Sequence, residues 1–81
     1  MKKIKFTGWK KGMNKIKFIQ LLHHKAGISL KEAKQIKDEI VDGKTIVISA
    51  KAEMVDYLIS QAEVYGVYAE VIDNPDPETP Q

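Results

Sequence analysis

Alternating apolar and polar residues open the chain. In residues 2–8, Ile4 and Phe6 alternate with Lys3 and Lys5, and this period of two predicts a strand with one buried face. β-Branched residues at positions 45–48 predict a second, short strand. Residues 67–72 predict the last strand. The pattern therefore predicts three strands.

Two helices are predicted between the first two strands. Residues 15–26 show the apolar spacing of a helix, with Asn14 placed to cap its start and Gly27 to end it. Ser29 and Glu32 then form the S-x-x-E pattern of a capping box, which predicts the start of a second helix. We expect this second helix to follow the first after a short loop.

Glycines mark the ends of the later elements. The second helix is predicted to end at Gly43. A third helix is predicted to begin with Ser49 as its cap and to end at Gly66. The resulting order is β-α-α-β-α-β, which predicts an α+β fold, a three-stranded sheet with three helices on one face. The second strand should run antiparallel to the first, because two helices return the chain to the end where it started.

Length and composition bound the domain organisation. The chain has 81 residues, 43% of them hydrophobic and 30% charged, which suits one globular domain. We expect this domain to span residues 1–72. Residues 73–81, DNPDPETPQ, contain three prolines and no large apolar residue, and are predicted to form a disordered acidic tail.

The charges are strongly segregated along the chain. Residues 1–37 carry eleven lysines and one acid, a net charge of +10, whereas residues 38–81 carry two lysines and ten acids, a net charge of −8. Such a field favours an acidic partner for the N-terminal half. Solvated lysines on helix faces would give the same count without a binding role.

The first predicted helix has two distinct sides. Apolar residues share one side at about 100° per residue, and these are Phe18, Leu21, Leu22 and Ala26. Ile16 falls on the opposite side, beside Lys15 and His23. Together with the edge of Ile19, this exposed isoleucine and its basic neighbours would form a small patch suited to protein contacts.

Residues 12–34, GMNKIKFIQLLHHKAGISLKEAK, resemble the C-terminal domain of the bacterial ribosomal stalk protein. That family carries the pattern G-x-N-K-[VI]-x-V-I-K, then a spacer and a glycine, and then L-K-E-A-K. The matching residues, which keep the family spacing, are Gly12, Asn14, Lys15, Ile16, Ile19, Gly27, Leu30, Lys31, Glu32, Ala33 and Lys34. Beyond this stretch the resemblance extends to the order of elements, as far as residue 72.

The resemblance implies a non-catalytic domain that recruits translational GTPases through its first helix and the start of its second. The protein-binding residues would then be Lys15, Ile16, Ile19, Gln20, His23, Lys31 and Lys34. Gln20 and His23 stand where the family usually has Lys and Arg. The family protein also has an N-terminal dimerisation segment and a hinge, whereas this chain starts at the domain, so we expect it not to be a complete stalk protein.

Nothing in the sequence indicates an enzyme, a cofactor or a metal site. His23 and His24 are adjacent, so their side chains leave a helix about 100° apart and do not chelate one ion together. The chain has no cysteine, and Ser29 is better explained as a cap than as a nucleophile. A signal peptide and a membrane-length apolar run are also missing, so we expect a cytoplasmic protein, either a monomer or a weak dimer.

Two other functions remain open at this point. The domain could be a free-standing adaptor for an unrelated protein; the Clp protease adaptor family has a similar order of elements, although its Asn-Asp-Asp turn after the first strand is missing here. It could also be a basic nucleic-acid-binding module, with Trp9 stacking on a base. The absence of arginine argues against nucleic acid, and Trp9 is more simply expected to close the end of the core.

Overall fold

The structure, a computed structural model, describes residues 1–72, and the predicted tail at 73–81 lies outside this range. The described part has the predicted order β-α-α-β-α-β and is an α+β fold. Its elements are β1 (Lys2–Trp9), α1 (Lys15–His24), α2 (Leu30–Val41), β2 (Ile46–Ala50), a 3₁₀ helix (Ala52–Met54), α3 (Val55–Val64) and β3 (Val67–Ile72).

Strand β1 lies in the middle of the sheet. The strand order is β2-β1-β3, and β1 is antiparallel to both of its neighbours. Ile4 and Phe6 are almost fully buried on one face of β1, where the helices pack, while Lys3 and Lys5 lie on the other face. The alternation of apolar and polar residues in the sequence therefore corresponds to the buried and the outer face of the central strand.

The core consists of apolar side chains from all three helices and all three strands. Among residues 1–72, no polar or charged side chain is buried. The largest fully buried side chains are Phe6, Phe18, Ile4, Leu22, Ile40, Leu58 and Val67. The domain is therefore stabilised mainly by the burial of apolar surface.

Both predicted helix caps in the first half of the chain are present. The Asn14 side chain accepts a hydrogen bond of 3.0 Å from the Lys17 amide at the start of α1. The Ser29 hydroxyl accepts one of 3.1 Å from the Glu32 amide at the start of α2. Helix α1 ends two residues earlier than predicted, at His24, because the amides that follow bond back to its last carbonyls.

The sequence prediction for Ser49 was wrong. Ser49 lies inside β2, opposite Lys3 of β1, and does not cap α3. Strand β2 continues through Ala50 because both residues pair with β1. The chain then enters α3 through the 3₁₀ helix after Lys51, which makes no side-chain capping bond. A serine can adopt either role, and here sheet pairing outweighed capping.

Gly66 connects α3 to β3 at a point where a larger residue does not fit. Its φ is +99°, and a Cβ at this position would lie 2.9 Å from the Met13 Cα. The Gly66 carbonyl accepts a bond from the Lys10 amide, and the Tyr65 carbonyl accepts one from the Asn14 amide. The turn before β3 thereby holds the loop that starts α1.

No helix in residues 1–72 is long and apolar enough to cross a membrane.

The Ser29 cap gives a direct stability prediction. We expect Ser29→Ala to lower the free energy of unfolding by about 1 kcal/mol, because the Glu32 amide loses its acceptor, and Ser29→Gly to lower it by only a few tenths of a kcal/mol. Urea unfolding followed by circular dichroism measures both values. Ser60→Ala, an exposed change within α3, is the control and should cost nothing. A neutral Ser29→Ala, or a glycine worse than alanine, would contradict this role.

Candidate protein-binding surface

Helix α1 has a buried side and a solvent-facing side. Phe18, Leu21 and Leu22 are buried, and the Phe18 ring meets the Phe6 ring of β1 edge to face, with centroids 5.3 Å apart. Because successive helical residues are about 100° apart, Ile16 lies about 200° from Phe18 around the helix. Ile16 is accordingly 69% exposed, as its spacing predicted.

The seven predicted binding residues lie on two neighbouring helices and are called here the α1–α2 surface. Helices α1 and α2 pack against each other. The exposed members of the surface are Lys15, Ile16, Gln20, Lys31 and Lys34, and the half-buried members are Ile19 and His23. Ile19 also packs against the core, so only its edge can reach a partner.

Lysines occupy the positive ends of both helices. The first turn of α1 contains Lys15 and Lys17 and no acidic residue, whereas in the first turn of α2 Lys31 lies beside the acidic Glu32. The helix dipole favours acidic residues at these positions, by about 0.3–1 kcal/mol each, so lysines there reduce helix stability. Proteins break such local rules mainly at functional sites. The arrangement concentrates positive potential at the start of α1.

Trp9 lies next to the start of α1. It is the last residue of β1, is half-buried and packs against the core, as the sequence suggested. Its ring also lies 5.5 Å from the Lys15 ammonium, a cation–π distance. This second contact was missed in the sequence because it depends on the path of residues 10–14. Trp9 therefore helps to hold one lysine of the α1–α2 surface in place.

His23 has a structural role that spacing alone did not reveal. Its Nδ1 atom lies 2.8 Å from the Ile28 carbonyl oxygen. Since a carbonyl can only accept, Nδ1 carries the proton and donates it. The ring thereby fastens the end of α1 to the loop that leads into α2, and any contact with a partner would go through Nε2. His23 is thus only in part available for binding.

Gln20 lies at the opposite border of the surface, towards α3. It lines a shallow cleft of about 140 Å³ between α1 and α3, together with Lys17, Tyr57 and Tyr65. The Lys25 ammonium lies 5.9 Å from the Tyr57 ring in the same region. No local pattern indicated a role for these tyrosines, because the packing of α3 beside α1 is a tertiary contact between distant segments.

The rings of His23 and His24 are 4.9 Å apart, but no group of three or more His, Cys, Asp or Glu side chains that could hold a metal ion occurs in residues 1–72. The α1–α2 surface presents an exposed isoleucine and several lysine ammonium groups near the starts of both helices. Such a surface complements an acidic protein with an apolar pocket.

Comparisons with protein-family models, with curated proteins and with solved structures found no match to this chain.

The hydrogen bond from His23 predicts that replacing His23 and replacing His24 lower the stability of the domain by different amounts. We expect the free energy of unfolding of His23→Ala to be about 1 kcal/mol lower than that of His24→Ala, because only His23 is hydrogen-bonded to the Ile28 carbonyl. Both changes gain the same helix propensity, so the comparison isolates this bond. Urea unfolding of the two variants is the measurement. Equal stability would show that the His23 ring does not fasten the loop.

Proposed function

We propose that this domain is a non-catalytic protein-interaction module, which binds an acidic protein partner through the α1–α2 surface. The observation that carries the proposal is the exposure of Ile16 beside the lysines that begin α1. An apolar side chain supplies binding energy when a partner covers it, and the surrounding charges steer an oppositely charged partner towards it.

Exposure alone does not distinguish Ile16 from other surface residues. Val64 on α3 is 71% exposed, nearly the same as Ile16, but its neighbour in the sequence is Glu63 and no basic residue lies in the last turn of its helix. A single exposed apolar residue is ordinary on a protein surface. The combination of Ile16 with Lys15 and Lys17 is what supports a docking site.

The charge distribution and the resemblance support the kind of partner. The net charge of +10 in residues 1–37 favours a partner with an acidic surface. The resemblance of residues 12–34 to the ribosomal stalk domain points to a translation-associated factor, such as a translational GTPase. Gln20 and His23 replace two cations of the family pattern, so we expect weaker electrostatic attraction than in the family. An adaptor for an unrelated acidic protein is the alternative, and the experiment below separates the two.

Ile16→Asp tests the surface without disturbing the fold. An aspartate in the first turn of α1 is favoured by the helix dipole, so the thermal stability should be unchanged or slightly higher. Binding should weaken by about 2 kcal/mol or more, roughly thirtyfold, as for a central contact residue. Titration calorimetry with a purified bacterial translational GTPase measures the affinity, and Val64→Asp is the matched control, which should bind like the unchanged domain.

Three results of this experiment have distinct meanings. Equal binding by Ile16→Asp and the unchanged domain would refute the proposed surface. Unfolding of Ile16→Asp would place Ile16 in the core and also refute it. If the GTPase does not bind, cross-linked capture from a bacterial lysate provides the second arm. An acidic partner with no role in translation that is captured by the Val64→Asp variant but not by Ile16→Asp would support an adaptor and refute the translational role.

The lysines of α2 should act mainly on the rate of association. We expect Lys31→Glu and Lys34→Glu to slow association with an acidic partner and to change dissociation little, since exposed rim charges steer the encounter. Surface plasmon resonance at two salt concentrations measures both rates, and the difference from the unchanged domain should shrink at the higher salt. Lys44→Glu, beyond the end of α2, is the control. If Lys44→Glu slows association as much, the effect is one of net charge and not of this surface.

A further inference from the structure

A second groove lies on a different side of the domain, between α2 and the edge strand β2. Its volume is about 410 Å³, within the range of binding clefts. The apolar part of its wall is formed by Val47, which is exposed, and by four isoleucines, of which Ile36 and Ile48 are buried and Ile28 and Ile46 are half-buried. None of the seven residues of the α1–α2 surface lines this groove.

The charges of this groove are opposite to those of the α1–α2 surface. Glu32 and Glu39 line it, and no lysine or histidine does. The two glutamates are seven residues apart on α2, which is about 10.5 Å along a helix. Glu32 is the only acid among residues 1–37, where the net charge is +10, and Glu39 lies just beyond that segment. The groove therefore favours a basic occupant.

The strand beside the groove, β2, is an edge strand without the usual features that prevent pairing with another strand. β2 is at the edge of the sheet, and it contains Ile, Val, Ser and Ala but no charged residue and no proline, the residues that usually protect an edge. Its register with β1 is continuous over five pairs, whereas that of β3 with β1 shifts between Phe6 and Gly8. Alternate residues of an edge strand direct their N–H and C=O groups away from the sheet.

We infer that this groove binds an extended basic peptide of a partner protein, which adds to the sheet as a fourth strand beside β2. The backbone of the peptide pairs with the free edge, while its groove-side residues alternate between apolar and lysine or arginine. The apolar side chains contact the isoleucines, and the cations reach Glu32 and Glu39. Two lysines four residues apart in an extended peptide are about 13 Å apart. Their long, flexible side chains can span the difference between this distance and the spacing of the two glutamates.

The probe is an acetylated and amidated synthetic peptide, Lys-Thr-Val-Thr-Lys-Thr-Val, added to the ¹⁵N-labelled domain. We expect amide shift changes in β2 and along the groove side of α2, and slower hydrogen exchange at alternate residues of β2. The same peptide with glutamate in place of both lysines should not bind. Glu32→Gln and Glu39→Gln should each weaken binding by about two- to fivefold, as for exposed ion pairs, with Glu63→Gln on α3 as the unaffected control.

Two N-methylated forms of the peptide test strand addition itself. Only alternate N–H groups of an added strand face the edge, so methylating one alternate set should abolish binding and methylating the other set should leave it unchanged. Ile16→Asp should bind the peptide normally, since its α1–α2 surface is separate, and failure of one proposal leaves the other standing.

Several outcomes would overturn this inference. The first two are equal effects of the two N-methylated peptides on binding, and binding of the glutamate peptide as strong as that of the lysine peptide. The next two are amide shift changes confined to α1, and no binding at the highest soluble peptide concentration. A further one is protection of the β2 edge before peptide is added in a sample that sediments as a dimer, which would make a second copy of the chain the occupant.

Discussion

The edge-to-face contact between Phe6 and Phe18 orients the first helix and thereby the surface that we propose for binding. Phe6 is fixed in the central strand, which pairs with neighbours on both sides, so its ring is a rigid support. Phe18 can reach this ring only if α1 turns that side towards the sheet. Ile16, two residues earlier, must then face solvent. A core contact of this kind stabilises the fold and defines the exposed side of the helix at the same time.

The same packing separates two surfaces of opposite charge. The side of α1 that faces away from the sheet carries Lys15 at a helix end where an acid would be more stable, and Lys15 belongs to the surface that we propose for binding. Helix α2 contributes to both surfaces, with Lys31 and Lys34 in one and Glu32 and Glu39 in the other. One amphipathic helix thus carries both signs of charge, and two different partners could be bound without competing for the same residues.

Much of the fold could be predicted because local patterns determined it. The alternation around Ile4 and Phe6, the caps at Asn14 and Ser29, and the last strand are all encoded within a few residues. The prediction failed where local signals competed, since Ser49 could cap a helix or extend a strand and only its pairing with β1 decides. The exposure of Ile16 followed from helical spacing, but the bond of His23 to the loop and the groove beside β2 did not. The bond depends on the turn after α1, which brings the Ile28 carbonyl back to the helix end, and the groove depends on α2 and β2, which meet only in the folded chain.

The orientation of α1 is the claim on which the proposed function depends, and side-chain methyl relaxation tests it most directly. In a sample with ¹³C-labelled isoleucine methyl groups, a soluble paramagnetic agent speeds the relaxation of exposed methyl groups. We predict that Ile16 relaxes fastest of all the isoleucines, because it is 69% exposed, and that Ile4 and Ile40, which are fully buried, hardly change. If Ile16 is protected as well as Ile4, α1 is rotated from the orientation described here, and the α1–α2 surface does not exist as a binding site.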